Sequence, residues 1–443
     1  MRTTLIATLL ASVFAVGNSH AADLLQVYRE ALANDSAFAS ARANLAAGRE
    51  REPQGFSQLL PAIGLAASSA RTNADVSLSG VGSTRNNTTN AYTVSLTQPL
   101  FRPASWQTWQ QSKLQVAATE AVFAQAQQDL IVRVSQAYFD VLAAQDTLAT
   151  VRAQKAAITE QLASAKRNFE VGTATITDSH EAQARFDLAV AQEFAAESEL
   201  QIRQAALQQI VGKSPGPLSP FKPGLKLTPP LPARMDDWVT SAEAQNYGVV
   251  GQQLTLEIAR HEIKRNRAGH LPTVDLVASR GRTLVDGTPA TSIAQISGSQ
   301  TTATQIGVQL NVPLFSGFAT TSRIREAIAL EDKARADLEN ARRTAAQAAR
   351  QAFVAVSSGL AQVRALEAAL VSSQSALEAN MLGYEVGVRI NIDVLNAQQQ
   401  LFSTRRDLAR ARYDTVLNSL RLQYAAGVLD EQDVAAVNAL LQP

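Results

Sequence analysis

Histidine and cysteine, which carry out much enzyme chemistry, are scarce or absent in this sequence, and its many Asp and Glu residues fit the solvated faces of long helices better than a catalytic site. The four histidines, His20, His180, His261 and His270, are scattered, and His261 is not followed by the second histidine that a zinc-protease helix needs. The absence of cysteine excludes disulfides, thiolate metal sites and cysteine nucleophiles. Neither a glycine-rich phosphate loop nor a nucleophile elbow occurs. We therefore expect no enzymatic activity, no cofactor and no bound metal.

Ionisable residues do cluster in two similar segments, NFEVGTATITD (168–178) and GYEVGVRINID (383–393). Each has a glycine that can end a helix in the left-handed conformation, followed by polar and acidic residues. Asp178 lies in the first segment, and Tyr384, Arg389 and Asp393 lie in the second.

The charge balance and the N-terminus indicate an exported protein that does not bind nucleic acid. The chain of 443 residues has 40 basic and 39 acidic side chains, without the basic excess that nucleic-acid binding usually requires. Residues 1–21 combine Arg2, an apolar stretch and the small residues Ser19 and Ala21, which is the pattern of a signal peptide. A membrane anchor is the weaker alternative, because about 18 apolar residues are needed to span a bilayer.

The rest of the chain consists mainly of two internal repeats of one unit. Residues 22–212 and 236–427 share the same succession of motifs, at a constant offset of 215 from Gln136, which matches Gln351. Residues 213–235 hold seven of the fifteen prolines, so they should form an extended, semi-rigid strap between the two repeats. Residues 428–443 form a separate C-terminal segment.

Each repeat reads as a helix, a strand, a polar loop, a strand, a very long helix, a tip and another very long helix. Strands are predicted near 61–70, 92–97, 272–280 and 306–312, the second and fourth from period-two alternation, with solvent loops at 72–91 and 281–305. Eleven of twelve positions that step by four and three from Leu130 to Phe169 are apolar, with Lys155 the exception. That period indicates coiled helices, and a helix from Phe101 to Gly172 would be about 105 Å long.

Four strands of about ten residues could cross a bilayer, but they cannot close a barrel alone. If they lie in a membrane, several chains must therefore share one barrel. The alternative is a soluble four-stranded cap on a coiled coil. Trp106 and Trp109 could either anchor the rim of a barrel or pack at the corner where a strand meets a helix.

The repeat, the paired PLF motifs (99–101 and 313–315), the two tip segments and the C-terminal GVLDEQDVAAVNALL together resemble the TolC family. This family comprises the outer-membrane efflux and type I secretion channels of Gram-negative bacteria. The resemblance implies a homotrimer whose twelve-stranded transmembrane β-barrel continues into a long periplasmic α-helical barrel, with 428–443 near a mixed equatorial belt. It also implies outer-membrane lipid, a periplasmic adaptor and an inner-membrane pump or ABC transporter as partners. The alternative from another class is a non-conducting periplasmic adaptor or scaffold.

The resemblance assigns roles to the tip residues. The adaptor would dock at Val171, Gly172, Val386 and Gly387, where small residues allow another backbone to approach closely. The periplasmic gate would comprise Thr177, Asp178, Tyr384, Arg389 and Asp393, with Tyr384 and Arg389 contacting Asp178 and with Arg389 also reaching Thr177. Asp393 would form a pore-facing ring that favours cations. Asn396 departs from the family pattern, in which a second pore-facing aspartate is usual. Alternatively, Arg389 and Asp178 form only an exposed ion pair worth ~0–1 kcal/mol.

Overall fold

The structure is a computed structural model, and it describes residues 21–78, 81–173, 175–287 and 298–442. The predicted signal peptide lies outside these residues except for Ala21. The first half of the described chain contains α1 (Leu24–Asn34), α2 (Ser36–Arg49), α3 (Arg51–Ser57), β1 (Ala62–Leu78), β2 (Val81–Phe101), α4 (Pro103–Glu170) and α5 (Ile176–Val211). The second half contains α6 (Met235–Gln245), α7 (Tyr247–Arg267), β3 (Thr273–Gly287), β4 (Ser299–Asn311), α8 (Ala319–Glu385), α9 (Asn391–Ala426) and α10 (Glu431–Asn438).

The long helices α4 and α8 dominate the molecule. Helix α4 has 68 residues, or about 102 Å at ~1.5 Å per residue, and Pro103 stands in its first turn, where a missing N–H costs nothing. The predicted seam of α4 is buried from Leu130 to Ala165, whereas its last predicted position, Phe169, is 43% exposed. The buried seam positions are Leu130, Val134, Ala137, Val141, Ala144, Leu148, Val151, Ile158, Leu162 and Ala165. Lys155, the exception in the pattern, forms an ion pair with Glu193 of α5.

The second helix of each pair is shorter than the first. Helices α5 and α9 have 36 residues each, and they end at Gly212 and Gly427, which take left-handed φ values of 81° and 77°. The remaining length of α4 packs against α2, α3 and α7, while α6 and α7 pack on α8. Shorter helices placed end to end therefore cover each long helix.

The four strands form one antiparallel sheet in the order β1-β2-β3-β4. Its strands are longer than predicted, because 72–78 and 81–91 continue the β1–β2 ladder in unbroken register. The predicted loop at 72–91 is therefore wrong, and β3 and β4 likewise extend into the predicted loop at 281–305. Polar residues on both faces of these extensions hide the period-two signal, although the backbone pairs as in any ladder.

One face of the sheet is apolar and exposed. The register aligns Ile63, Leu96, Ala278 and Ile306 in a row across all four strands. The neighbouring rows on this face include Leu276 with Val308, and Val274 with Leu310. The row of Leu65 and Val94 continues to Arg280 and Thr304, so this face also has polar residues. Ile63 and Ile306 are 72% and 74% exposed in the single chain. A sheet that exposes branched apolar side chains in rows needs a covering medium, as in a lipid-facing barrel wall.

The largest buried cluster lies where the strap crosses α4 and α9. Phe221 of the strap stacks on Tyr413 of α9 at a centroid distance of 4.8 Å, and Phe139 of α4 packs against both rings. The Tyr138 hydroxyl donates to the carbonyl of Ser219 at 2.9 Å. The C-terminal segment packs here too, through a β-bridge between Phe221 and Leu441. The strap thus joins both repeats to the C-terminal segment.

Helix α8 contains an 18-residue window with a mean hydropathy of 1.3, which by length and composition alone could cross a membrane. In the structure α8 packs against α9, α7 and α6, and its buried residues are mainly alanine, leucine and valine. Only 22% of that window is buried within the chain, so packing inside one chain accounts for a minor part of its apolar character.

Trp106 and Trp109 lie at the corner between β2 and α4. Their rings meet edge to face at 4.9 Å, and Phe56 of α3 packs on Trp109 at 5.4 Å. Trp106 is 49% exposed. At the same corner the Arg102 guanidinium donates two hydrogen bonds to Asp275 of β3, at 2.8 and 2.7 Å. Corner packing therefore describes Trp109, and a rim role for Trp106 stays a prediction.

Candidate functional site at the helix tips

The two helical hairpins turn at equivalent tips. Gly172 follows α4 with a φ of 79°, and Gly387 follows α8 with a φ of 80°. Their N–H groups donate to the carbonyls of Phe169 and Tyr384, at 3.0 and 3.1 Å. A Cβ added to either glycine would meet nothing within 4 Å. The left-handed backbone, and not crowding within the chain, therefore explains these two glycines.

Both tips expose apolar side chains. Val171 is 71% exposed and Val386 is 64% exposed, and Val388 and Ile390 continue the exposed surface of the second tip. The predicted docking residues therefore lie at the ends of the hairpins, accessible in the single chain. Exposed apolar groups concentrated in this way are typical of protein contact surfaces.

Asp178 caps the start of α5. Its carboxylate accepts hydrogen bonds from the backbone N–H and the hydroxyl of Thr175, at 3.0 and 2.9 Å, and the Asp178 N–H donates to the Thr175 hydroxyl at 3.3 Å. This reciprocal capping box stabilises the first turn of α5. Thr177 is exposed in the same turn.

The contacts of the second tip differ from those that the resemblance implied. Arg389 forms an ion pair of 3.6 Å with Asp393 of its own segment, and the Tyr384 hydroxyl accepts a hydrogen bond of 3.3 Å from Asn168. Among the described residues of one chain, neither Tyr384 nor Arg389 bonds to Asp178. Within one chain these residues have other partners, because the Asp178 carboxylate accepts hydrogen bonds from Thr175 and Arg389 pairs with Asp393, four residues further along. Contacts between neighbouring chains stay a prediction.

A residue that the sequence analysis did not single out connects the two hairpins. Asn391, the first residue of α9, is 1% exposed. Its Nδ2 donates to the carbonyl of Asp178 on α5 at 3.3 Å, and its Oδ1 accepts a hydrogen bond from the Gln161 side chain of α4. This one amide thus bonds to both helices of the first hairpin. The signal available in the sequence was a polar residue between Ile390 and Ile392.

Gly383, in the last turn of α8, is another residue to which the sequence analysis gave no role. A Cβ at this position would lie 2.6 Å from Cγ of Arg389. The Gly383 carbonyl also accepts hydrogen bonds from the N–H groups of Val388 and Arg389, at 2.8 and 3.0 Å. Gly383 therefore allows the Arg389 side chain to lie directly on α8.

A helical coil about 100 Å long, joined to a sheet with an exposed apolar face, defines an outer-membrane channel protein with a long helical extension. Two matches to the model of the outer membrane efflux protein family, over residues 27–213 and 238–428, agree with this class. The chain belongs to that family.

Individual relatives support the same assignment. The chain is 34% identical to outer membrane protein TolC of Vibrio cholerae over 424 residues, which cover 95% of this chain and 94% of the relative. It is 33% identical to the alkaline protease secretion protein AprF of Pseudomonas aeruginosa, over 95% of this chain and 88% of the relative.

Among solved structures, the chain is similar to the Campylobacter jejuni CmeC outer membrane channel, with a TM-score of 0.77 and 18% identity over 94% of this chain and 89% of that chain. It is also similar to the outer membrane protein VceC of Vibrio cholerae, with a TM-score of 0.76 and 20% identity over 91% and 96% of the two chains. The protein is thus an outer-membrane channel of efflux or secretion, and the adaptor alternative is not supported.

Proposed function

We propose that three copies of this chain form one exit duct, which receives substrate from an inner-membrane translocase through a periplasmic adaptor. The observation that carries the proposal is the four-stranded sheet, in which β1 and β4 are edge strands and one face is exposed and apolar. Each backbone group left unpaired in lipid would cost several kcal/mol, so the edges need partner strands. Three copies supply twelve strands, enough to close a barrel.

Native mass measurement of the detergent-purified protein tests this assembly. We expect a complex of three chains, and outer-membrane fractions should contain it. A stable monomer that conducts ions in planar bilayers would contradict the proposal.

The adaptor in this proposal contacts the exposed tips. Replacing Gly172 or Gly387 by leucine should abolish export while the trimer still forms, because a bulky side chain would block a close backbone approach. Gly224 is a matched control, since it has a φ of 69° and nothing within 4 Å of its added Cβ, but it lies in the strap. Export that is unchanged in the tip variants, or equally reduced by Gly224→Leu, would refute the docking role.

The gate in this proposal comprises Thr177, Asp178, Tyr384, Arg389 and Asp393, with contacts made between neighbouring chains. The exposure of Arg389, whose side chain is 58% accessible, leaves it able to reach a neighbour. The double variant Tyr384→Phe with Arg389→Ser should raise single-channel conductance in planar bilayers. A conductance equal to that of the parent would show that these residues do not hold the entrance closed.

Two kinds of transport fit this proposed function. AprF is named as a protease secretion protein and the family as outer membrane efflux proteins, so both protein secretion and efflux are compatible with this chain. Deletion of the encoding gene followed by assays of secreted protein and of drug sensitivity would separate the two.

A further inference from the structure

A small cavity lies between α4, α5 and α9, about 10 Å along α5 from the tip residue Asp178. Its volume is about 40 Å³. The polar side chains that line it are two arginines, Arg185 and Arg406, and three glutamines, Gln154, Gln192 and Gln399, while the remaining lining residues are aliphatic. No carboxylate lines this cavity within the described part of the chain.

Amide oxygens hold both arginines in place. Arg185 of α5 donates to the side-chain carbonyls of Gln399 and Asn396 on α9, the latter at 3.0 Å. Arg406 of α9 donates to the side-chain carbonyl of Gln154 on α4 at 3.3 Å. These acceptors are neutral, so the hydrogen bonds fix the guanidinium groups without balancing their charge.

Two other arginines of α4 and α5 are paired with carboxylates, in contrast to these two. Arg152 pairs with Glu193 and Glu197, and Arg203 pairs with Asp140 and Glu199. Within the described ranges, neither Arg185 nor Arg406 lies within 4.0 Å of a carboxylate oxygen, although both side chains are only partly exposed. Arg406 also borders an adjoining cavity that Asp140, Glu199, Asp407 and Asp414 line. Among the described residues it forms no ion pair with them, and Arg203 and Arg410 pair with Asp140, Glu199 and Asp414 instead.

Two partly buried cations that share one cavity repel each other, and buried charges in proteins are normally neutralised by a partner. A guanidinium group has five N–H donors, and the described contacts use two on Arg185 and one on Arg406. Donors therefore remain on both groups. The volume exceeds the ~10–15 Å³ that one water molecule needs, and it suits a monatomic anion.

We propose that this cavity is an anion site that binds chloride between Arg185 and Arg406. Because Arg185 belongs to the first hairpin and Arg406 to the second, the bound ion links the two hairpins. The anion stabilises their packed arrangement by binding it in preference to a separated one.

Crystals of the parent protein soaked in sodium bromide test the site directly. We expect an anomalous peak within hydrogen-bonding distance of both guanidinium groups. Soaked crystals without a peak between Arg185 and Arg406 would overturn the proposal. This readout does not depend on channel activity, so it stands or falls separately from the proposed gate.

Thermal unfolding in sodium chloride, against sodium gluconate at equal ionic strength, tests the same site in solution. Chloride should raise the Tm of the parent in a saturable way, and Arg185→Gln with Arg406→Gln should shift the half-saturation point at least tenfold. Arg405→Gln is the matched control, because Arg405 lies on the same turn of α9 and donates to Gln374, outside the cavity. A chloride effect that is equal in the double variant and in this control would refute the site.

Discussion

Replacing Asn391 by alanine should weaken the closed entrance of the channel. The change removes the hydrogen bond to the Asp178 carbonyl and leaves the Gln161 amide without its acceptor on α9. Gln161 is partly exposed, so its amide can bond to water in the variant. The closed state of one chain should therefore lose about the ~1 kcal/mol typical of a net hydrogen bond, which is less than the penalty for a fully buried donor without a partner. If three chains open together, the closed state loses about 3 kcal/mol. Since 1.4 kcal/mol is about tenfold, the ratio of open to closed channels should rise about 100-fold.

Single-channel recording of purified trimers in planar bilayers measures this ratio. Asn380→Ala is the control, because the Asn380 side chain donates to the Ala376 carbonyl of its own helix and bonds to no other helix among the described residues. Native mass measurement should give the same assembly for parent, variant and control. An open probability of Asn391→Ala no higher than that of the control would show that the amide contributes only to packing.

Two further predictions concern stability, and thermal unfolding measures both. Gly427→Ala should destabilise the protein by about 2–4 kcal/mol, because a left-handed φ costs ~1–2 kcal/mol and the added Cβ would lie 2.3 Å from the carbonyl oxygen of Gln245. The repeat-related Gly212→Ala meets no contact under 3.1 Å and should cost less. Equal losses of stability in the two variants would contradict this reasoning. Burial raises the pKa of Asp146, although the hydrogen bond of 2.7 Å from Tyr413 lowers it, so the folded state binds a proton on this carboxyl group more tightly than the unfolded state does. The contribution of that proton to stability is complete below about pH 4 and is lost as the pH rises through the raised pKa of Asp146. Asp146→Asn should remove this part of the pH dependence of stability.

The sequence predicts the long helices well, because apolar residues recur along their seams at a regular spacing of four and three. Every apolar position between Leu130 and Ala165 in the predicted period is buried, and the offset of 215 residues relates the ends of α4 and α5 to those of α8 and α9. Burial of one face fixes such a pattern regardless of what the rest of the chain does. The strands near 61–70 and 272–280 begin at Ala62 and Thr273, close to their predicted starts.

The outer parts of the strands could not be predicted by the same argument. Residues 72–91 are rich in serine, threonine and asparagine, and neither face is apolar, so no period distinguishes them from a loop. Their structure depends on backbone pairing with the neighbouring strand, which extends the register without requiring a side-chain pattern. Length estimates taken from the apolar band alone therefore give only the part of each strand that needs an apolar medium.

The bonds of the tip residues could not be predicted from the sequence, since the partners of a polar side chain depend on which acceptor is nearest. Asp178 and Asp393 occupy equivalent positions near the starts of α5 and α9, yet Asp178 caps its helix through Thr175, whereas Asp393 pairs with Arg389. At the position equivalent to Thr175 the second repeat has Ile390, which has no side-chain oxygen with which to cap α9. The residue after it, Asn391, instead turns its amide inward to the first hairpin. The two repeats therefore have the same backbone arrangement but different stabilising contacts. The capping box of Thr175 and Asp178 stabilises the first tip, and hydrogen bonds between Asn391 and the first hairpin stabilise the second.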